Sequence, residues 1–353
     1  MKYLFLRLLL FPFGIVYILI IYIRNSLYDI GILKSIEFDV PVISVGNLRV
    51  GGTGKTPMTE YIASSISAKY KTGLLSRGYG RNTQGFRMVT EGESSLTVGD
   101  EPWQMFRKFG NTLSIAVGED RLLAIPEMLA EMNRRAVIVM DDAFQHRQVK
   151  PSINIMLTSW SKPFYEDHIL PYGMLREFRS SAKRADIIVV SKCPEDISTT
   201  EMEQIKRSVG IYAEAAETFF SYIEYNDLVP FTRPDTNPGR HILLVTGVAD
   251  PDPLVRYINN RFIIHRHFKF PDHHIFSERD CRNIKSAYDA MDNHDKCVLM
   301  TEKDMIRIST GNSGLFLQTL PMFYIPIRFK FIRDGNIFED MINNMIERFQ
   351  LTP

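Results

Sequence analysis

The chain has 353 residues, enough for about two domains, and its 45% hydrophobic and 24% charged residues indicate a globular protein with a sizeable core. Its 42 basic and 41 acidic residues leave a formal net charge of +1, which argues against a nucleic-acid binder because such proteins normally carry a strongly basic face. The three cysteines form no C-x-x-C pair, so we interpret them as reduced structural thiols, not a disulfide framework or a zinc site: Cys193, Cys281 and Cys297.

The beginning of the chain is apolar, and no residue from Leu8 to Ile23 is charged. As a helix this run would extend over roughly 24 Å, somewhat less than a hydrocarbon core of roughly 30 Å. Arg7 and Pro12 also disfavour a simple spanning helix, although Arg7 is close enough to the end of the run to reach the headgroups. We predict a membrane-associated helix over residues 1–28, spanning the bilayer or lying in its surface, with the body of the protein on the cytoplasmic side.

This segment has two alternative interpretations. A cleaved signal peptide is disfavoured because no small-residue cleavage site follows the apolar run. A helix buried within the protein is disfavoured by aromatic residues that suit a membrane interface better than a dry core: Tyr17, Tyr22 and Tyr28.

After residue 30, short β-branched runs alternate with helical stretches. The first part of the body has predicted strands at 42–45, 73–76, 113–117, 136–140, 153–157 and 186–190, and predicted helices at 56–69, 101–109 and 121–132. Strands that are apolar on both faces and separated by helices predict a parallel sheet covered on both sides, and hence an α/β fold. The second part has strands at 241–246, 262–268 and 296–300, which predict a smaller α/β domain.

Two aromatic, extended segments flank this smaller unit, TFFSYIEY at 218–225 and FYIPIRFKFI at 323–332. We predict that they pair as a two-stranded hinge, which would return the final helix to the first domain; the alternative is that each belongs to an ordinary sheet. The stretch 226–239, with three prolines, is the most loop-like. The predicted parts are therefore the helix 1–28, a P-loop domain 29–216, a second domain 217–332 with hinge strands near 217–225 and 323–332, and a returning helix within 333–353.

The P-loop assignment rests on GNLRVGGTGKTP, residues 46–57, which lies between an apolar strand and a helix. Glycines let backbone N–H groups turn toward an anion at a helix N-terminus. We expect Lys55 to reach the β- and γ-phosphates and the Thr56 hydroxyl to bind Mg²⁺. In the usual motif, G-x-x-x-x-G-K-[ST], the first position is glycine, but here it is Arg49, so the loop is a variant. A chance match is disfavoured because a predicted strand precedes the loop. The other nucleotide-binding candidates are Gly51, Gly52, Thr53 and Gly54.

The run AVIVMDD supplies the acidic half of a magnesium site, because Asp141 and Asp142 follow five apolar residues. One carboxylate would hold the metal, directly or through water, while the other orients it or takes part in catalysis. A simple strand-ending turn is the alternative. Together with Lys55 and Thr56, the pair predicts a site for ATP and Mg²⁺.

Five further polar motifs lie in the predicted P-loop domain, and two of them, VGEDR and DDAFQHR, bring side chains to the carboxyl ends of neighbouring predicted strands, where open α/β sheets bind ligands. The five motifs are LLSRGYGR at 74–81, VGDEPWQM at 98–105, VGEDR at 117–121, DDAFQHR at 141–147 and LPYGMLRE at 170–177. Several arginines at one edge indicate an anionic substrate in addition to ATP. The acids at 100 and 101 also suit simple helix capping. The substrate-binding candidates are Arg77, Tyr79, Glu101, Arg121, Gln145, His146, Arg176 and Glu177.

Along essentially its whole length the chain resembles the tetraacyldisaccharide 4'-kinase family. The resemblance rests on the apolar N-terminal helix and on SVGNLRVGGTGKTP, LSRGYGR, GDEPWQM, VGEDR, DDAFQHR, LPYGMLRE, FPDHH and TEKD. It implies a kinase at the cytoplasmic face of the inner membrane. Such an enzyme transfers the γ-phosphate of ATP to the 4'-hydroxyl of an acylated glucosamine disaccharide 1-phosphate and forms lipid IVA. No obligate protein partner is predicted.

The sugar hydroxyl must lose a proton, and we predict Asp100 as the base, with Asp142 also in a catalytic role. The resemblance implies a histidine partner for Asp100, and in FPDHH we choose His273, directly after Asp272, over His274. A capping or surface role is the alternative for both histidines.

TEKD at 301–304 has two open interpretations, a helix cap and a nucleotide or hinge role. Ser191-Lys192 indicates no guanine preference, because Pro194 stands where the GTPase motif needs an aspartate. The competing functions are a membrane-bound P-loop ATPase that acts as a nucleotide switch, and a kinase of another lipid or of a small metabolite.

Overall fold

The computed structural model describes residues 2–132, 136–233, 237–309 and 317–350, with side chains from residue 14 to residue 349. Within these ranges, two sheets organise the chain, one of nine strands and one of five. The strands are β1 Val42–Asn47, β2 Thr72–Ser76, β3 Arg87–Met88, β4 Ser114–Val117, β5 Val137–Asp141, β6 Ile153–Ser159, β7 Ile187–Ser191, β8 Glu217–Tyr225, β9 Val229–Pro230, β10 His241–Thr246, β11 Ile263–Lys269, β12 Lys296–Thr301, β13 Met322–Ile325 and β14 Ile327–Phe331.

Ten α-helices lie within the same ranges, together with two short 3-10 helices at 164–166 and 179–184. Most helices of the predicted P-loop and second domains follow a strand, as expected when helices cover a parallel sheet. The α-helices are α1 Lys2–Asp29, α2 Lys55–Ser67, α3 Ser95–Val98, α4 Asp100–Phe109, α5 Arg121–Glu131, α6 Thr199–Gly210, α7 Asp252–Asn259, α8 Glu278–Asp289, α9 Glu302–Ser309 and α10 Gly335–Gln350.

The larger sheet has the order β14-β8-β7-β6-β1-β5-β2-β4-β3. Its seven inner strands pair in parallel, and the edge strands β3 and β14 pair antiparallel. The central strands β1, β5 and β7 are buried along their whole length, which explains why their sequences are apolar on both faces. The phosphate-loop strand β1 therefore lies in the middle of the sheet, with the DD strand β5 beside it.

The smaller sheet has the order β11-β10-β12-β13-β9, and only its last pair is antiparallel. The predicted loop 226–239 contains β9, which pairs with β13, so that prediction was wrong at Val229–Pro230; positions 234–236 lie outside the described residues.

The two aromatic segments pair with each other over part of their length. Tyr225 lies opposite Ile327 and Ser221 opposite Phe331, in an antiparallel ladder between β8 and β14. The first half of β8 also pairs with β7, so the segment belongs to the large sheet as well. The stretch 323–332 is not one strand, because β13 in its first part belongs to the small sheet. Its hinge role stays a prediction.

The last helix, α10, packs on the large sheet and on α2. Phe338, Ile342 and Ile346 are buried in the same hydrophobic cluster as Met58 and Ile62 of α2. The three cysteines are buried and free, and burial raises the pKa of each thiol, to about 12 for Cys193 and Cys297 and to about 11 for Cys281.

The N-terminal helix α1 carries an apolar stripe that the rest of the described chain leaves uncovered. Its members recur at helical spacing and are 46–57% exposed: Ile15, Val16, Leu19, Ile20 and Ile23. Among the residues that the structure describes, no helix combines the length and the apolar character needed to cross a membrane.

Candidate active site

The phosphate loop joins β1 to α2 and follows the expected strand–loop–helix pattern. Gly51 and Gly54 have φ values of 108° and 82°, in the left-handed region that favours glycine. Gly54 caps α2, and among the described residues no side chain makes a capping hydrogen bond at this helix N-terminus. Such an end attracts an anion through its free N–H groups and the helix dipole.

Asn47, at the end of β1, organises this loop and was missed by the sequence analysis. Its Nδ2 donates to the Arg49 carbonyl at 2.6 Å and to Thr53 Oγ1 at 2.7 Å, and its Oδ1 accepts from Lys55 Nζ at 3.3 Å. Gln145 Nε2 in turn donates to the Asn47 carbonyl at 2.8 Å. The asparagine that precedes the double glycine was a visible signal, and its role is to shape the loop.

The oxygen donors expected around a magnesium ion lie beside the start of α2. Asp141 is 2% exposed and accepts a hydrogen bond from Thr59 Oγ1 at 3.0 Å, while Thr56 Oγ1 donates to Glu101 Oε1 at 2.9 Å. Burial, and then the charges of Glu101 and Asp142, raise the pKa of Asp141 to about 7. In the described part of the chain, no three His, Cys, Asp or Glu side chains form a ready-made metal cluster.

Asp142 lies on the other side of the loop. Its carboxylate is 3.6 Å from Lys55 Nζ and accepts from Arg176 Nη1 at 3.0 Å, and the same Arg176 nitrogen donates to Gln145 Oε1 at 3.3 Å. The structure thus brings four predicted site residues together at the carboxyl ends of β1 and β5. Asp142 has a positive φ of 49°, which is uncommon for a residue other than glycine.

Glu101, predicted to bind substrate, links the phosphate loop to the second unit. Its Oε1 accepts from Thr56 and also from Lys303 Nζ of α9. Burial opposes ionisation, but the charge of Lys303 outweighs it and holds the pKa of Glu101 at about 2.

Asp100, the predicted base, contacts His273 as the sequence analysis expected. His273 Nδ1 lies 3.5 Å from Asp100 Oδ2, and Arg307 Nε donates to the same oxygen at 2.6 Å. Burial opposes ionisation here too, but hydrogen bonds from His273 and Arg307 lower the pKa of Asp100. His274 faces elsewhere, since its Nε2 contacts Asp280 Oδ2 at 3.0 Å.

Arg307 is the main residue that sequence reasoning missed on this side. Its side chain is 3% exposed and donates to the Gly247 carbonyl at 2.6 Å and to Asp304 Oδ1 at 3.1 Å. Lys303 and Arg307 are spaced i, i+4 on α9 and meet the consecutive acids Glu101 and Asp100. The TEKD motif marked the start of α9. No feature of the neighbouring sequence identified Glu101 and Asp100 as the partners of Lys303 and Arg307.

The other predicted substrate residues fall into two groups. Arg77 and Tyr79 are exposed, and the Tyr79 ring lies 5.1 Å from that of His273. Arg121 is 1% exposed and donates to the carbonyls of Gly118 and Asp141, so it joins strand ends and does not offer a free guanidinium. Burial, together with the charges of Arg121 and Arg77, lowers the pKa of His146 to about 4.

Glu177 is also fully buried, and it serves as the docking point of α1. Its carboxylate accepts from Arg184 at 2.7 Å and from Asn25 at 3.3 Å, and Arg24 lies 3.7 Å away. Arg24 Nη2 donates to the Gln145 carbonyl at 2.7 Å as well. The apolar helix is therefore joined directly to the loop that carries Asp142. Glu177 is 0% exposed, so it has no accessible atom with which to contact a substrate.

The comparisons with known proteins agree along the length of the chain. The family described as "Tetraacyldisaccharide-1-P 4'-kinase" matches residues 6–347. The chain is 40% identical over 351 residues to "Tetraacyldisaccharide 4'-kinase" of Flavobacterium psychrophilum, covering 97% of this chain and 98% of the relative. It is 39% identical over 329 residues to the protein of the same name from Cytophaga hutchinsonii, covering 92% and 91%.

Among solved structures, the chain is similar to that of the "apo" form of LpxK from Aquifex aeolicus in complex with ATP. The TM-score is 0.73 at 29% identity, covering 97% of this chain and 99% of that one. The sequence resemblance, the α/β architecture and these matches agree. This chain belongs to the tetraacyldisaccharide-1-P 4'-kinase family.

Proposed function

We propose that this protein transfers the γ-phosphate of ATP to the 4'-hydroxyl of a tetraacyldisaccharide 1-phosphate and so forms lipid IVA in lipid A biosynthesis. One observation carries the proposal: the consecutive residues Asp100 and Glu101 connect His273 to Thr56 of the phosphate loop. A base for an acceptor hydroxyl therefore lies next to the residues that hold the phosphates. An ATPase that uses its nucleotide only as a switch has no need of this arrangement.

The site suits ATP with Mg²⁺. The uncapped start of α2 and Lys55 offer donors to phosphate oxygens, and the oxygens of Thr56, Glu101 and Asp141 are the hard ligands that Mg²⁺ prefers. Burial, and then the charges of Glu101 and Asp142, raise the pKa of Asp141, and a divalent cation would stabilise its ionised form. Thr56, Glu101 and Asp141 would hold the ion, which would supply positive charge to offset the negative charge that develops during phosphoryl transfer.

In the transfer, the bond from the 4'-oxygen to the γ-phosphorus forms as the bond to the β,γ-bridging oxygen breaks, and ADP leaves. The proton of the 4'-hydroxyl passes to the Asp100 carboxylate, which Arg307 and His273 orient. Lys55 neutralises charge on the transferred phosphoryl group, and Asp142 holds Lys55 and Arg176 in position.

The acceptor is a lipid, and we assign the enzyme to the cytoplasmic face of the inner membrane. The support is the uncovered apolar stripe of α1 and the contacts of Arg24 with Gln145 and Glu177, which attach that helix beside the site. Vesicle flotation tests this: the pair Val16→Asp and Ile20→Asp should abolish binding. Ile211→Asp, at a 77% exposed position on the body, should leave binding unchanged.

The function itself is tested with detergent-solubilised protein, ATP, Mg²⁺ and tetraacyldisaccharide 1-phosphate. ADP release and phosphorylated lipid are measured with and without the lipid, for the wild type and for Lys55→Met. We expect ADP release to depend on the lipid and to disappear in the variant. Equal ADP release with and without lipid, and no phosphorylated lipid, would overturn the proposal and favour the nucleotide-switch ATPase.

A further inference from the structure

We infer that Lys303 is a further catalytic residue, which contacts the γ-phosphate of ATP from the second unit of the molecule. This inference rests on the proposed function, because it assigns a role at the same site. It concerns a residue outside the phosphate loop and outside the Asp100–His273 pair.

The geometry places the Lys303 ammonium one oxygen atom away from the phosphate loop. Lys303 Nζ and Thr56 Oγ1 both donate to the same atom, Glu101 Oε1, and the threonine contact measures 2.9 Å. In P-loop enzymes the hydroxyl at this position holds the Mg²⁺ that bridges the β- and γ-phosphates. A cation one oxygen away from that hydroxyl therefore lies beside the γ-phosphate and not beside the nucleoside.

The charges around the loop point to an anion between them. Lys192 has a positive φ of 58°, and its Nζ would lie 3.8 Å from a Cβ placed on Gly52. Burial lowers the pKa of Lys192, the negative charge of Asp250 opposes this shift, and the positive charge of Lys303 adds to it. Lys55, Lys192 and Lys303 thus bring three cations toward the loop from three elements, and a triphosphate is an anion that such a group attracts.

The side chain of Lys303 is also accessible to a ligand. Its side chain is 27% exposed, in contrast to Arg307 at 3%. The ammonium can leave Glu101 for a phosphate oxygen when Thr56 turns to the metal.

A purely structural ion pair between the two units is the alternative, and Lys108 is its matched control. Lys108 Nζ lies 2.7 Å from Glu302 of the same helix α9 and 3.0 Å from Glu60 of α2, two turns of α4 away from Glu101. It joins the same elements but does not reach the loop. Loss of Lys108 therefore weakens the interface without removing a phosphate contact.

The test measures equilibrium binding of ADP and of a non-hydrolysable ATP analogue, with Mg²⁺, to the full-length solubilised protein. Lys303→Met should weaken binding of the ATP analogue by roughly tenfold or more, the size of one charged hydrogen bond, and leave ADP binding unchanged. Lys303→Arg should recover part of the difference. Lys108→Met should lower the Tm and leave the ratio of the two affinities at its wild-type value.

An unchanged affinity ratio in Lys303→Met, or equal losses for the two nucleotides, would overturn the inference. If Lys303→Met gives too little folded protein, Lys303→Gln carries the same comparison. Lipid phosphorylation by the wild type is measured alongside. Its absence would refute the proposed function, whereas a changed affinity ratio would still support the phosphate contact.

Discussion

The two sides of the active site are built in different ways. The phosphate side comes from one continuous segment, in which β1, the loop and α2 follow one another, and Asn47, Thr53 and Lys55 interact over eight residues of sequence. The acceptor side joins Asp100, His273 and Arg307, which are up to 207 residues apart. The phosphate side is thus a property of local chain geometry, and the acceptor side exists only when both units are folded and in contact.

The largest effect is expected from a substitution that removes the base and leaves the phosphate side intact. Asp100→Asn keeps the shape of the side chain but abolishes its basicity, so kcat should fall by roughly 10²- to 10⁴-fold. Binding of ATP, measured by calorimetry, should stay close to the wild type because the described side-chain partners of Asp100 are His273 and Arg307, which lie outside the phosphate loop. Asp289→Asn, an exposed site paired with Lys285, is the control. A kcat within a few-fold of wild type would remove Asp100 from the mechanism.

The next largest effect on kcat is expected when two adjacent histidines are compared. His273→Gln removes the partner of Asp100 and should lower kcat by up to about a hundredfold, the cost of a misplaced catalytic group. His274 stacks on Phe270 with ring centroids 4.4 Å apart and pairs with Asp280, so His274→Gln should lower the Tm and spare kcat. Steady-state kinetics and thermal unfolding of both variants test these roles. A loss of kcat in His274→Gln but not in His273→Gln would assign the catalytic role to His274.

A smaller effect concerns pH. The Arg307 guanidinium lowers the pKa of Asp100, against the effect of burial. Arg307→Gln removes that charge, so the pKa of Asp100 rises and the carboxylate is protonated at a higher pH. The acidic limb of the profile of kcat/KM should therefore move to higher pH, and Arg307→Lys should move it less. A limb that stays in place in Arg307→Gln would show that Asp100 does not govern it.

The smallest expected effects compare a closely packed glycine beside the phosphate loop with a glycine whose Cα faces open space. A Cβ on Gly46 would lie 2.6 Å from the backbone nitrogen of Phe144, so Gly46→Ala must displace the loop that carries Asp142 and should destabilise the protein. At Gly210, the last residue of α6, an added Cβ meets nothing within 4 Å. Gly210→Ala should stabilise by about 0.4–1 kcal/mol, measured by denaturant unfolding. Equal effects would contradict the close approach of the two loops.

The sequence analysis was most successful where the signal was local. Apolar runs such as 42–45 and 153–157 identified buried strands of the central sheet, and the GGTGKT loop and the DD pair identified the residues that meet around Lys55. The analysis was less successful where one sequence pattern covered two strands that belong to different sheets. The aromatic segment 323–332 has the composition of one long strand, yet the chain crosses from one sheet to the other within it.

Arg121 and Glu177 show the same limit at the level of single residues. Each follows a strand or a loop at the correct sheet edge, and each motif suggested a substrate ligand. The structure buries both, because Arg121 binds strand-end carbonyls and Glu177 binds the arginines that dock α1. Sequence position locates a residue at an edge, but burial depends on which other segment covers it.

What the sequence determined by itself was the α/β class, the phosphate loop, the apolar N-terminal helix and the family, because each is encoded in a periodicity or in a contiguous motif. What only the tertiary structure decided was which cations meet Asp100 and Glu101. Lys303 and Arg307 reach them from α9 across the contact between α4 and α9. Such pairings depend on the packing of distant elements, and no spacing along the chain encodes the distance between them.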